Sequence, residues 1–499
     1  MNKIKFHFLI ILLAVVMVGC QNKEYKNIVP KNANMLVSVD LGSLFKEVEV
    51  PQSAKSKLMS LAQMVDKETA GLQLEKLLEG ENHTGIDCLS PFYIFRSPEV
   101  TLGLTLRVAD EDDLEQLMAT LEKQNVIEKP VEFEGLKLSS VMGELTLAFD
   151  EHSLLLMVPE NKAQSKILVR KLFNQSDDDS FIASEKFEKI TEKTDPVVWF
   201  VNGAAFQDVE QLYSNIPLML NFLPDGVRPI DVNLIASFSS KKGRADATYE
   251  LFSLNKKTQK LLEKEDKKFN KINGDFISAP NDFFVWAGAG VEGDNLLKMM
   301  KGNSEINPYL TALDRAIDIQ AIIKSIKGDM ALILPSLPQN DIDFVLTAKT
   351  KNTDFLKDVS YWNETMKDYG LKMRENSKNN FTLFVDGEEL NWGVEEDNVY
   401  FASKNSFFKT AFSEKSSDLS KMEEEITNSI AYVYINLKPL AQKMMDAPYP
   451  PYHIMAKQLT LLDKCCFKME NFRNCTVSFF IDSDENFLTK LLDVVAQSF

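Results

Sequence analysis

Apolar and polar residues alternate through residues 145–156. Leu145, Leu147 and Phe149 precede the polar run Asp150-Glu151-His152, and Leu154 and Leu156 follow it. A period of two puts alternate side chains on one face of a strand, so the stretch predicts a β-hairpin. The pattern returns without a gap at 390–401, where Leu390, Trp392 and Val394 precede Glu395-Glu396-Asp397, and Val399 and Phe401 follow.

Four further pairs keep the same order. Residues 35–41 form an apolar strand after Pro30, as residues 283–289 do after Pro280. Residues 103–108 lead to Asp110 and a helical stretch, and residues 344–349 lead to Asn352 and another. Asp and Asn at these points satisfy the free N–H groups of a helix start. Residues 197–202 match 431–436, and residues 247–251 match 477–481, with a helix after each. The offset between partners falls from 248 at the first pair to 230 at the last, so the copies are collinear with small deletions in the second. Strands joined by short turns, with helices inserted singly, predict an α+β class. The expectation is two tandem homologous halves, residues 31–270 and 277–499, each a mostly antiparallel sheet with covering helices. The Lys- and Glu-rich stretch 254–275 reads as a solvated final helix and linker of the first half.

The longest apolar run lies at the start. Lys3 and Lys5 precede residues 6–18, and Met17-Val18-Gly19 leads to Cys20. This run is shorter than the roughly 20 residues that span a bilayer. Charge, apolar segment and small residues before a cysteine form a bacterial lipoprotein signal, residues 1–19, after which Cys20 carries the lipid. Residues 20–30 form a polar tether that reaches at most ~35 Å. Gln21, Lys23 and Glu24 partly match the charged signal that sends some lipoproteins to the cell surface. The address is an outer-membrane lipoprotein, periplasmic or surface-exposed, whose one membrane contact is the anchor.

Removing residues 1–19 takes two lysines and no acid, and the charge moves from -17 to -19. Such a surface repels phosphate backbones, which excludes nucleic acid as a partner. The 44% hydrophobic content is that of a globular chain, so the acidity reads as a solvated surface.

Candidate chemistry is sparse. Gly288, Gly290 and Gly293 spell G-x-G-x-x-G after a strand, yet no strand ending in an acid follows at the distance a dinucleotide fold needs. A plain strand-to-helix turn without nucleotide is the reading. Asp482-Ser-Asp484-Glu-Asn486 opens like a calcium loop but has Phe487 at the sixth position, and reads as a helix cap. Asp177-Asp178-Asp179 is a surface turn. His83, His152 and His453 form no H-E-x-x-H, and no G-x-S-x-G occurs, so neither metal nor cofactor is expected. Glu395 and Glu396 are one of many acid pairs that could serve a glycosidase. Tyr449 and Tyr452, set among prolines, could stack on a sugar or peptide, or pack as a loop between helices. Cys466 and Cys475 face each other for a disulfide if the hairpin loop is Glu470-Asn471. A loop one residue later breaks that pairing and leaves buried thiols.

Val29-Pro30-Lys-Asn-Ala33, Val37-Ser-Val-Asp-Leu41, Gly85-Ile-Asp87 and Pro91-Phe-Tyr-Ile-Phe95 together resemble a family of Bacteroidetes lipoproteins known as a domain of unknown function. The resemblance implies cell-envelope residence and two related halves, and it carries no catalytic residues. The reading is a lipid-anchored envelope protein that binds an envelope protein or glycan, or scaffolds a complex, without catalysis. The alternative is a hydrolase of envelope or other polymers that works through carboxylates.

Overall fold

Short turns join most neighbouring strands, and side chains pin them. Asp150 Oδ1 accepts the His152 and Ser153 N–H groups at 2.9 and 2.8 Å, so the chain reverses directly and Phe149 pairs with Leu154. Hairpins of this kind build antiparallel sheets throughout the computed structural model. It describes residues 24–57 apart from 45 and 47, 84–205, and 223–498 apart from 225, 281–282, 304–305, 315–316, 339–341, 369–370, 386–387, 404–415 and 448–449.

The chain forms two units, Met1–Gln259 with Ser483–Phe499, and Lys260–Asp482. The first contains β1 (Met35–Val39), β2 (Ile86–Asp87), β3 (Phe92–Arg96), β4 (Val100–Val108), α1 (Glu111–Lys123), β5 (Val131–Phe133), β6 (Leu136–Val141), β7 (Leu145–Phe149), β8 (Ser153–Pro159), α2 (Ser165–Phe173), α3 (Glu185–Thr191), β9 (Val197–Asn202), β10 (Asn233–Lys241) and β11 (Arg244–Phe252). Its sheet runs β5-β6-β7-β8-β4-β3-β1-β9-β10-β11, with β2 also on β4.

After α4 (Lys256–Asp266), the second unit contains β12 (Val285–Glu292), α5 (Gly293–Gly302), α6 (Ile306–Leu313), α7 (Ile319–Ser325), β13 (Ile326–Leu334), β14 (Val345–Thr350), α8 (Val359–Asp368), β15 (Lys372–Ser377), β16 (Asn380–Val385), β17 (Glu388–Glu395), β18 (Asn398–Ala402), β19 (Ala431–Asn436), α9 (Lys438–Asp446), α10 (Pro450–Leu459), β20 (Leu462–Asn471) and β21 (Asn474–Ile481). Its sheet runs β15-β16-β17-β18-β14-β13-β12-β19-β20-β21. The two orders correspond strand for strand, and each of the five pieces paired in the sequence holds the same place in both.

Both faces of each sheet are packed in part. In the first unit Leu36, Phe95, Leu155 and Phe200 meet Leu168, Val169 and Leu172 of α2, while Leu106, Phe149 and Leu154 meet Leu114, Leu117 and Met118 of α1. Leu154 and Leu155 are neighbours on β8 and therefore point to opposite faces. In the second unit Trp362 and Met366 of α8 pack on Phe381, Trp392 and Val399, and Trp392 stacks on Phe381 with ring centroids 4.7 Å apart.

The unit boundaries differ from 31–270 and 277–499, because residues 483–499 group with the first unit. The C-terminal helix (Phe487–Ser498) is tied there at its start: Gly243 N donates to Glu485 O at 2.9 Å, and Leu488 N donates to Ser240 Oγ at 3.0 Å. Among the described residues no helix is long and apolar enough to cross a membrane.

Candidate functional site

Asp87 sits at the end of β2 with 1% of its surface exposed. Burial of a carboxylate costs several kcal/mol unless partners replace water. Here Arg107 Nη1 of β4 donates at 2.7 Å, Ser90 Oγ at 2.8 Å, and the Leu89 and Ser90 N–H groups at 3.0 and 3.1 Å. Nearby, Tyr25 Oη donates to Pro91 O at 2.6 Å and Cys88 Sγ to Ile86 O at 3.3 Å. Burial pushes the Tyr25 and Cys88 pKa values far above their ordinary range and that of Tyr93 up to about 12. All three stay protonated, and Tyr25 and Cys88 serve as hydrogen-bond donors; they are poor bases and nucleophiles.

In the second unit Asp329 plays a comparable part. It is 1% exposed and accepts the N–H groups of Asn273, Gly274 and Asp275 at 2.8, 2.7 and 2.9 Å. That clamps the strand-entry loop onto β13.

A cluster of titratable groups lies where β19 meets β20. Tyr434 Oη donates to Asp418 Oδ2 at 3.0 Å. Lys464, itself buried, holds its Nζ 5.5 Å from the Tyr434 ring, 5.4 Å from the Phe480 ring and 3.8 Å from Asp463 Oδ2. Lys438 Nζ completes the group at 2.6 Å from Asp463 Oδ1. Burial alone would raise the Asp418 pKa, but the Lys464 charge, the Tyr434 hydroxyl and Lys421 outweigh it and hold the carboxyl below its ordinary value. Burial drives the Tyr434 hydroxyl far up, with the Asp418 charge adding to it, and pushes the Cys466 thiol up to about 12. Asp418 is thus a charged acceptor for a neutral phenol, an arrangement that orders the sheet interior and gives no general acid near neutral pH.

The residues singled out in the sequence are scattered. Cys20 and Tyr449 lie outside the described residues, and Tyr452 falls within α10, its side chain undescribed. The proline-tyrosine segment enters a helix here, and His453 Nε2 lies 2.7 Å from Ala447 O. Cys466 and Cys475 are free thiols. Register excludes their disulfide: Cys466 pairs with Ser478 and Cys475 with Met469. Asn471 Oδ1 accepts the Arg473 and Asn474 N–H groups at 2.9 and 3.0 Å, which centres the loop on Phe472 and Arg473.

Gly288 and Gly290 lie inside β12, Gly288 paired with β13 and β19 and Gly290 with β13 and, through an isolated bridge, Asn270. A Cβ on Gly288 would meet the Trp286 ring at 2.4 Å, one on Gly290 the Asn270 O at 2.4 Å, and one on Gly293 the Ile323 O at 1.9 Å. These glycines admit protein neighbours, and the room a pyrophosphate needs is taken. Asn486 Oδ1 accepts Leu488 N at 2.9 Å, which makes the calcium-like stretch a helix cap. His152 is partly exposed beside Glu151 at 3.4 Å. Among the described residues no group of three or more His, Cys, Asp or Glu is placed to hold a metal. A crevice lined by Leu36, Tyr93, Phe181 and Phe187 has no room for even a water-sized sphere, far from the roughly 300 Å³ at which small-molecule pockets begin. Sequence reasoning missed Asp87, Asp329 and the Asp418–Tyr434–Lys464 group; only Gly85-Ile-Asp87 stood out, as a motif without a role.

Residues 25–449 match the family described as a domain of unknown function, DUF4836, and the chain belongs to that family. No curated protein matches it. Among solved structures, crystal form IV of TP0453 is 11% identical with a TM-score of 0.26, covering 46% of this chain and 79% of that one. Crystal form I is 9% identical with the same TM-score of 0.26, covering 49% and 88%. Likeness at that level leaves the architecture to rest on the strand pairings themselves.

Proposed function

We propose that this chain is a lipoprotein anchored in the outer membrane through Cys20, and that it binds or scaffolds at the cell envelope without catalysis of its own. The observation that carries the reading is the leader, in which two lysines, the 6–18 apolar run and small residues precede Cys20. The acids support the non-catalytic part, since the buried Asp87 and Asp329 and the half-buried Asp418 are each committed to groups of the fold. The matched strand orders support the further reading that the two units are copies of one ancestral module.

Expression with radiolabelled palmitate followed by fractionation tests the anchor. The native chain takes up label and stays with membranes; Cys20→Ala loses both. Unchanged labelling of the variant would overturn the reading. Protease added to intact cells separates a surface location, where the folded units are cleaved, from a periplasmic one, where they survive.

A further inference from the structure

Helix α6 buries only part of its apolar face. Leu310 is buried against Leu297 and Ile323, whereas Ile306, Tyr309 and Leu313 are 40%, 74% and 50% exposed. Spacings of three and four place those three on one face. Met299 of α5 adds a fourth exposed apolar side chain at 41%. Burying such a stripe is favourable, and leaving it in water is unusual for a short surface helix.

The charges around the stripe differ from those of the chain. Residues 293–325 hold four cations and four acids, in a protein of net charge -17. Three of the acids are tied locally: Asp294 lies 3.8 Å from Lys351, Asp314 accepts Gln320 Nε2 at 2.7 Å, and Asp318 accepts Ala321 N at 2.8 Å. Glu305 and Arg315 fall outside the described residues and cancel in charge. Lys298, Lys301 and Lys324 are exposed and form no ion pair among the described residues. An apolar stripe with exposed lysines on the neighbouring helices matches a bilayer interface, where acyl chains lie beneath anionic headgroups.

We infer that the α5–α6 hairpin is a second membrane contact, which seats Ile306, Tyr309 and Leu313 in the headgroup region of an anionic bilayer. The inference rests on the anchored reading for its choice of a bilayer over a protein partner. The lipid leaves the folded units free to turn on their tether, whereas a second contact through the hairpin would fix which surface of the second unit faces the membrane.

The test uses the mature chain, residues 21–499, made without leader or lipid, and sedimentation with phosphatidylcholine vesicles containing 30% phosphatidylglycerol. The chain is expected to pellet with these vesicles. Tyr309→Ser with Leu313→Ser should weaken binding at least tenfold, and Lys298→Gln and Lys301→Gln about fivefold each. Circular dichroism confirms that the exposed-site variants stay folded. Absence of binding, or binding that ignores all four substitutions, would overturn the inference and leave the stripe to a protein partner. Because Cys20 is absent from this chain, the result is separate from that of the palmitate experiment.

Discussion

Asp87 shows what a buried charge does in this protein. Its four donors come from β4 and from the loop that follows β2, so one carboxylate binds two segments that are distant in sequence. Asp87→Ala leaves the Arg107 guanidinium buried without its partner, and a loss of about 3–5 kcal/mol is expected in urea unfolding. Replacing Arg107 by Met in the same chain should recover part of that loss, since the stranded charge goes too. Titration gives a second residue-scale prediction. The Tyr434 pKa is raised above its unfolded value of 10.0, so its contribution is whole below pH 10 and is lost as pH rises beyond it. The Asp418 pKa is lowered below 3.8, so its contribution is whole above that pH and fades as acid protonates it. Melting temperature against pH should therefore fall at both ends, and Tyr434→Phe should flatten the alkaline limb. A limb unchanged by Tyr434→Phe assigns the alkaline loss elsewhere.

Elements were legible wherever local chemistry acts alone. Asp110 accepts Asp113 N at 3.0 Å and starts α1 where the sequence places a cap; Asp110→Ala should cost about 1 kcal/mol in thermal unfolding. The matching start in the second unit was less clear. Asn352 accepts Asp354 N at 3.2 Å, but a 3-10 turn over Asp354–Asp358 comes before α8. What holds α8 is Trp362 against Trp392, with centroids 6.1 Å apart. Trp392→Ala removes that contact and the Phe381 stack together, and should cost about 3–5 kcal/mol. The Cys466–Cys475 disulfide failed as an expectation for a local reason. An asparagine side chain capping the turn centres the loop on Phe472 and Arg473, two residues beyond Glu470-Asn471, and with the irregularity between Met469 and Asn471, Cys466 faces Ser478, three residues from Cys475.

At the scale of the whole molecule, the last seventeen residues group with the first unit. Their ties run through Ser240, Gly243 and Ser53, whose Oγ donates to Asp493 Oδ1 at 2.7 Å. Ending the chain after Asp482 should speed hydrogen exchange in β10 and β11 while β15 to β18 stay as protected as before. Equal loosening of both units would show that the segment serves the second unit as well. The amino-acid sequence by itself determined the order of the paired strands and the antiparallel hairpins, because periodicity and turn residues act over a few neighbours. Only the tertiary structure decided which acids are buried, which glycines are crowded by backbone and which unit takes the C-terminal helix. Those outcomes depend on what lies across the sheet from a residue, and partners such as Arg107 for Asp87 or Ser240 for Leu488 are brought near by the fold, with no signal in the residues alongside.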